Sequence, residues 1–332
     1  SMHRGAEKLF ESRDYRQVLA LTDRHDWLSA PGSEAGAAMA MELLLGIEVP
    51  ERAQLLRMLA AEMSRIAAHA AFLAEFPWQV VPESPAGLQH TVDLLRRLRE
   101  GCLDLLCELT GARMHVMWTV IGGVRNDANA EWLRSVAARI DAGAALDAAE
   151  ELLTSDAVRQ RLRAVGVLAP ELVDAYAMSG IVARASGSAR DARRRPGYAL
   201  YDRCGEQLTV PTRGDGDALA RLQLLVAEMR QACALIGRIV DLLAETTTAV
   251  NVPLPKVVRL PEGSVYCETE NALGINGYWL VSRGDKMPHR LKIRSASFNN
   301  LSALHEVLRG QPVDDVVPTM ATWFFLSGDA DR

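Results

Sequence analysis

Paired cysteines, phosphate-binding glycine loops and long uncharged apolar runs are all missing from this 332-residue chain, and each absence removes a class of function. The five cysteines, Cys102, Cys107, Cys204, Cys233 and Cys267, are odd in number and form no C-x-x-C pair. That usage fits reduced, buried thiols in a reducing compartment. The seven histidines fall in no H-x-x-x-H or H-x-x-E-H spacing, so the chain by itself is expected to bind no metal. There is no G-x-x-x-x-G-K-[ST], G-x-G-x-x-G or G-x-S-x-G, which argues against a nucleotide loop or a hydrolase nucleophile. No stretch reaches the roughly eighteen apolar residues of a membrane span, and Asp314 and Asp315 precede the most apolar C-terminal run, 316–328. The first residues, Ser1-Met2-His3-Arg4-Gly5, lack a basic-then-apolar export signal, which predicts retention in the cytoplasm. A net charge of −5 lacks the basic surface that nucleic acids or anionic lipids require, so no nucleic-acid partner is expected.

What is present favours helix. Aromatics make up only 5% of the chain, while Ala, Leu, Arg and Glu abound. Pro50 opens a pattern through Phe76 in which Leu55, Leu59, Met63, Ile66 and Leu73 recur at helical spacing. A second runs from Val92 to Leu109 and stops at Gly111, and a third spans about 217–244. Two shorter helices are expected in 130–163 and one more in 170–178. After Pro253 and Pro255 the period changes, and 265–267, 278–281 and 291–294 read as short strands; 301–308 and 313–325 return to helix. The predicted fold class is therefore mainly α within α+β: a helical bundle domain over 1–248, with a small antiparallel β unit plus C-terminal helices over 249–332 packed on it.

Three constellations stand out. Glu62, Arg65 and His69 share one face of the Pro50 helix, where a solvated stripe and a buried, paired network are both open. His115 lies between a glycine stop and a glycine turn, a place where a core histidine is commoner than a functional one. The segment from Arg184 to Tyr198 is basic and Gly/Ser-bearing; it reads as an exposed loop, with an anion cradle as the alternative.

The blocks HRGAEKLFESRDYRQ, DRHDWLSA, ELLLGIEVPERAQLLRMLAAEMSRIAAH, TGARMH with IGGVRND, and RASGSARDARRRPGYALYD resemble, in order, those of the D-subunit family of respiratory NADH:quinone oxidoreductase, complex I. YCETENALGINGYWLVSRGDKMPHRLKIRSASFNNLSAL and VDDVVPTMATWFFLSGDADR extend the resemblance to the C-terminus. It is collinear over nearly the whole chain. The family is related to the nickel–iron hydrogenase large subunit, so the resemblance implies a bundle of that type. The hydrogenase metal would be held where Arg24–Ser29 and Asp329–Arg332 stand, and neither stretch has a cysteine.

The resemblance further implies a translocating oxidoreductase in which this chain walls a quinone pocket. Arg4 and His115 would lie beside the terminal iron–sulfur cluster carried by the B-subunit, raising its potential and tying its reduction to proton uptake. Glu62, Arg65 and His69, with Arg57, would form a buried network. The iron–sulfur B-subunit, the C-subunit and the quinone-channel membrane H-subunit would be the partners. NADH would be oxidised on another subunit, and the chain would be peripheral on the cytoplasmic face of the membrane. Three departures accompany this. The sequence starts at HRG, after the family's strands with their quinone-binding histidine; the family's quinone tyrosine is replaced by Trp27; and the aspartate that partners that histidine has no counterpart in 76–87. An indole donates a hydrogen bond but does not release its proton. Two readings result: a working member of the oxidoreductase, or a catalytically impaired paralogue acting as a structural or assembly protein.

Overall fold

The computed structural model describes residues 3–76, 78–82 and 84–332. Its centre is the helix Glu51–Glu75, with the preceding Pro50 fixing its start, and 19 of its 25 residues are buried. A helix buried on most of its circumference must be surrounded. Leu88–Thr110 and Ala218–Glu245 pack along it, as does Ala30–Leu45. Leu88–Thr110 ends where the sequence places its stop, at Gly111 with φ 88°. The stretch 130–163 holds three helices, Ala130–Arg139, Gly143–Thr154 and Asp156–Leu162, because the extended backbone of Ser155 splits the expected second one.

Near the C-terminus three antiparallel strands, Glu262–Asn271, Gly274–Arg283 and Arg290–Arg294, form a sheet in that order, with Tyr278 paired to Cys267 on one side and Ile293 on the other. The fold is thus α+β and mainly α. One face of the sheet buries Tyr278, Leu280, Leu291 and Ile293 against Phe10, Val18, Ala37 and Met41. The contact is close because Ala30–Leu45 turns small residues toward the strands: a Cβ on Gly36 would overlap the Tyr278 ring, and one on Gly32 would overlap Asn271. Four short helices, Ala296–Ser302, Leu304–Leu308, Val313–Ala321 and Ser327–Asp331, close the chain. The last of these returns to the N-terminus, where Arg4 binds Asp331 at 2.6 Å. Cys102, Cys204 and Cys267 are buried as expected; Cys107 and Cys233 are only half-buried, which corrects that expectation, and all five are free.

Candidate functional site

Two polar sites are built around the middle of the central helix. The first is a corner where the chain ends meet. Asp26 caps a short turn, Trp27–Ser29, by accepting from the Ser29 N–H, and this turn presents Trp27 half-buried at the surface. The indole packs against Gly328, where a Cβ would collide with the ring. The Arg4 guanidinium stands 6.0 Å from the centre of the Trp27 ring and donates to the carbonyls of Arg24 and Gly328 at 3.0 and 2.8 Å. Arg24 and His115 share one buried carboxylate, Asp23, at 3.2 and 3.4 Å. His115 is about one-third exposed and is flanked by the exposed Met114 and Met117. Arg4, Trp27 and His115, separate in sequence, therefore occupy a single corner.

Beneath it lie two buried acids, Asp23 beside Arg24 and Glu34 with no cation paired to it among the described residues. Burial raises the carboxyl of Asp23, against the pull of Arg24 and His115. Glu34 is fully buried; one oxygen accepts from the N–H groups of Trp118 and Thr119 at 3.0 and 2.9 Å, and the other has no partner among the described residues. Burial, with the neighbouring Asp23 charge, pushes Glu34 up to about 7. Only about 30 Å³ of free space remains in the crevice between Trp27, Pro31, Ser64, Ala68 and Met114. A larger cavity of about 240 Å³ lies elsewhere, between Met39, Leu43, Arg57 and Tyr198, away from the indole.

The second site is a fully buried ion network. Glu62 accepts from Arg65 at 3.0 Å, from Arg193 at 3.0 Å and from the Tyr201 hydroxyl at 2.7 Å. Arg193 also binds Asp191 at 2.7 Å. Arg184 joins Asp191, Glu228 and Glu270, and Glu228 accepts from His69 at 2.9 Å. Burial alone would raise Glu62 and Glu228, but the adjacent guanidiniums outweigh it and hold both below the ordinary carboxylate range. Glu270 goes the other way: burial and the nearby Asp191 charge raise it despite Arg184. Four carboxylates thus face three guanidiniums, and Glu270 is the member closest to keeping a proton. The two sites touch through one turn, since Arg65 donates to the backbone carbonyls of Glu270 and Asn271 while the Asn271 amide donates to Asp26 at 3.0 Å.

Glu62, Arg65 and His69 are buried and paired, so the solvated stripe does not occur. Arg57 is not in this network; it forms a separate buried pair with Glu42 at 2.7 Å and donates to the carbonyls of Val120 and Gly123. The 184–198 segment is also not simply an exposed loop. Its Arg184 and Arg193 turn inward because four buried carboxylates need compensation, while 194–197 stay exposed. In 76–87, Trp78 and Val81 are buried, while Pro77 and Glu83 lie outside the described residues, as does Ser1. Composition and spacing give no sign of His25, Glu34, Glu228 or Glu270; a charge inside an alanine-rich run, as in APGSEAGAAMAM, is the one available signal for Glu34.

The segments Arg24–Ser29 and 328–332 are brought together, with His25 Nδ1 3.0 Å from Asp329. Neither carries a thiol, so a nickel centre of the hydrogenase kind, which needs soft thiolate donors, does not fit this place. The family described as Respiratory-chain NADH dehydrogenase, 49 Kd subunit, matches residues 87–332. The chain belongs to that family. Copy 1 of the NADH-quinone oxidoreductase D-subunit of Streptomyces coelicolor is 45% identical over 100% of this chain and 86% of its own length. Copy 2 of the same D-subunit in Streptomyces griseus is 43% identical, covering 100% of this chain and 83% of the relative. The NADH-quinone oxidoreductase D-subunit of Carboxydothermus hydrogenoformans is 36% identical over 99% and 88% respectively. Family membership thus extends over the helical half, the sheet and both segments that build the corner. No helix among the described residues is long and apolar enough to cross a membrane.

Proposed function

We propose that this chain is the D-subunit of a proton-translocating NADH:quinone oxidoreductase, docked on an iron–sulfur B-subunit and a C-subunit, next to a membrane H-subunit that admits quinone. The assembly would sit on the cytoplasmic face of the membrane, with NADH oxidised on another subunit and no cofactor held by this chain alone. The observation that carries this reading is the convergence of Arg4, Trp27 and His115 on one corner, in a chain of this family. Arg4 and His115 supply a cation and an imidazole to a redox centre on the facing subunit, and exposed Met114 and Met117 supply adaptable apolar contact. The crevice at Trp27 is far too small for a quinone ring, so the head group would rest against the indole with its other walls provided by the partners. In that position the Trp27 N–H donates one hydrogen bond to a quinone oxygen and passes no proton.

Assembly is the first test. A tagged copy of this chain, replacing the native D-subunit in a host with the remaining subunits, is expected to carry the iron–sulfur B-subunit and the C-subunit through purification. It is also expected to sustain NADH-driven quinone reduction in membranes. Capture of both partners with no quinone reduction would instead favour the impaired, structural reading.

A further inference from the structure

Behind Trp27 lies a cluster in which the number of buried acids exceeds the number of cations. His25 is 2% exposed, and Asp26 and Asp329 are fully buried. His25 Nδ1 meets Asp329 at 3.0 Å, and its Nε2 meets the Tyr278 hydroxyl at 3.2 Å. Asp329 also accepts the Ser297 N–H at 2.8 Å. Asp26 accepts from Ser29 N–H and from the amides of Asn271 and Asn276, at 3.0 Å from the former amide. No Arg or Lys side chain reaches either carboxylate among the described residues. The nearest cations are committed: Arg24 to Asp23, and Arg4 to Asp331.

Apart from Arg24 and Arg4, the groups facing the cluster from each packed element add no positive charge. The sheet contributes Tyr278 and Cys267, both raised by burial, the Ala30–Leu45 helix contributes Glu34, and His25's own segment contributes Asp23. Isolated buried charge is strongly disfavoured, so two carboxylates with one imidazole and no fixed cation retain labile protons. Burial, followed by the charge of Asp329, pushes Asp26 up to about 6. A purely mechanical latch between the two chain ends would need only one neutral hydrogen-bonded pair.

We propose that His25, Asp26 and Asp329 form a buried proton store that serves the reaction at Trp27. The proposal rests on the quinone reading above. Its position is suited to the task, because the indole is held between the two segments that carry the store, with Asp26 just before Trp27 and Asp329 just after Gly328. Reducing a quinone to a quinol takes two electrons and two protons. The electrons arrive from the partner's iron–sulfur cluster. One proton leaves the cluster of His25, Asp26 and Asp329, which is later reprotonated from solvent; the other proton comes from solvent directly. The store thereby provides what Trp27 itself cannot release.

Two measurements test it separately from the quinone reading. In the full chain alone, labelled histidine ring signals are followed from about pH 5 to about pH 8, the span over which imidazoles exchange protons. His25 is identified by comparison with His25→Gln or, if that variant does not fold, with Asp329→Asn. The expected result is a titrating His25 whose midpoint moves in Asp26→Asn; a ring that stays in one protonation state throughout overturns the store, whatever the complex does. In the assembled complex, Asp329→Asn is expected to keep NADH-driven ferricyanide reduction while quinone reduction falls on the order of 10²-fold. The pH profile of quinone reduction should also lose its dependence on the store. An unchanged rate and profile in a fully assembled variant would likewise overturn it, whereas quinone reduction absent already in the unaltered complex would defeat the quinone reading and leave the ring titration to decide the store.

Discussion

Glu34 shows at the scale of one residue how burial becomes a pH response. Its ordinary value of 4.5 is pushed up to about 7, so the folded chain binds its proton more tightly than the unfolded chain does. The sign follows: this contribution to stability is complete below about 4.5 and is lost as pH rises through about 7. A shift of this size corresponds to something on the order of 3 kcal/mol. Urea unfolding of Glu34→Gln should therefore show a flatter dependence across that window and a more stable protein than the parent at alkaline pH. The same slope in variant and parent would contradict a proton held at Glu34. Residues of this kind are poorly legible in the sequence. Arg4, Trp27 and His115 can be picked out from their motifs, whereas His25 and Asp329 are 304 positions apart and nothing local marks them as partners.

At the scale of elements, legibility follows amphipathicity. The helices Glu51–Glu75, Leu88–Thr110 and Ala218–Glu245 are visible because each repeats large apolar residues every three or four positions. Ala30–Leu45 is not visible. It carries Pro31, Gly32 and Gly36 and is buried on nearly every side, so it has neither good propensity nor a polar face to set the period. The strands fall where the sequence puts them but run longer, since only their most apolar parts stand out. The 184–198 segment misleads for a related reason: a basic stretch looks solvated until the carboxylates that neutralise it, Glu62, Glu228 and Glu270, arrive from three other elements. That pairing has a measurable cost when broken. Arg193→Leu takes one of two guanidiniums from each of the buried Glu62 and Asp191 and should destabilise the chain by about 3–5 kcal/mol in urea unfolding. Arg203→Leu breaks only an exposed pair with Glu51 and should change stability by less than about 1 kcal/mol. Equal effects from the two would contradict the buried network.

At the scale of the whole molecule, the chain ends and the sheet hairpin converge on the central helix, which puts the ion network, the acids and Trp27 in mechanical contact. The Asn271 turn links Arg65 on one side to Asp26 on the other, so a charge change at the corner is felt by the network through hydrogen bonds already in place. In the proposed assembly the exposed side of this corner becomes interface and its buried side remains within this chain. Everything proposed for the corner depends on the acceptor being reduced against Trp27. The direct measurement is NADH-driven quinone reduction by complexes assembled with the parent chain, Trp27→Ala and Trp27→Tyr, at matched content of the other subunits. Turnover should be lower for Trp27→Ala, which loses the hydrogen bond and the apolar wall. It should be higher for Trp27→Tyr, whose hydroxyl both donates and passes a proton, a step typically worth about 10²–10⁴ in rate when fully positioned. Equal turnover in all three complexes would contradict a quinone head group at Trp27.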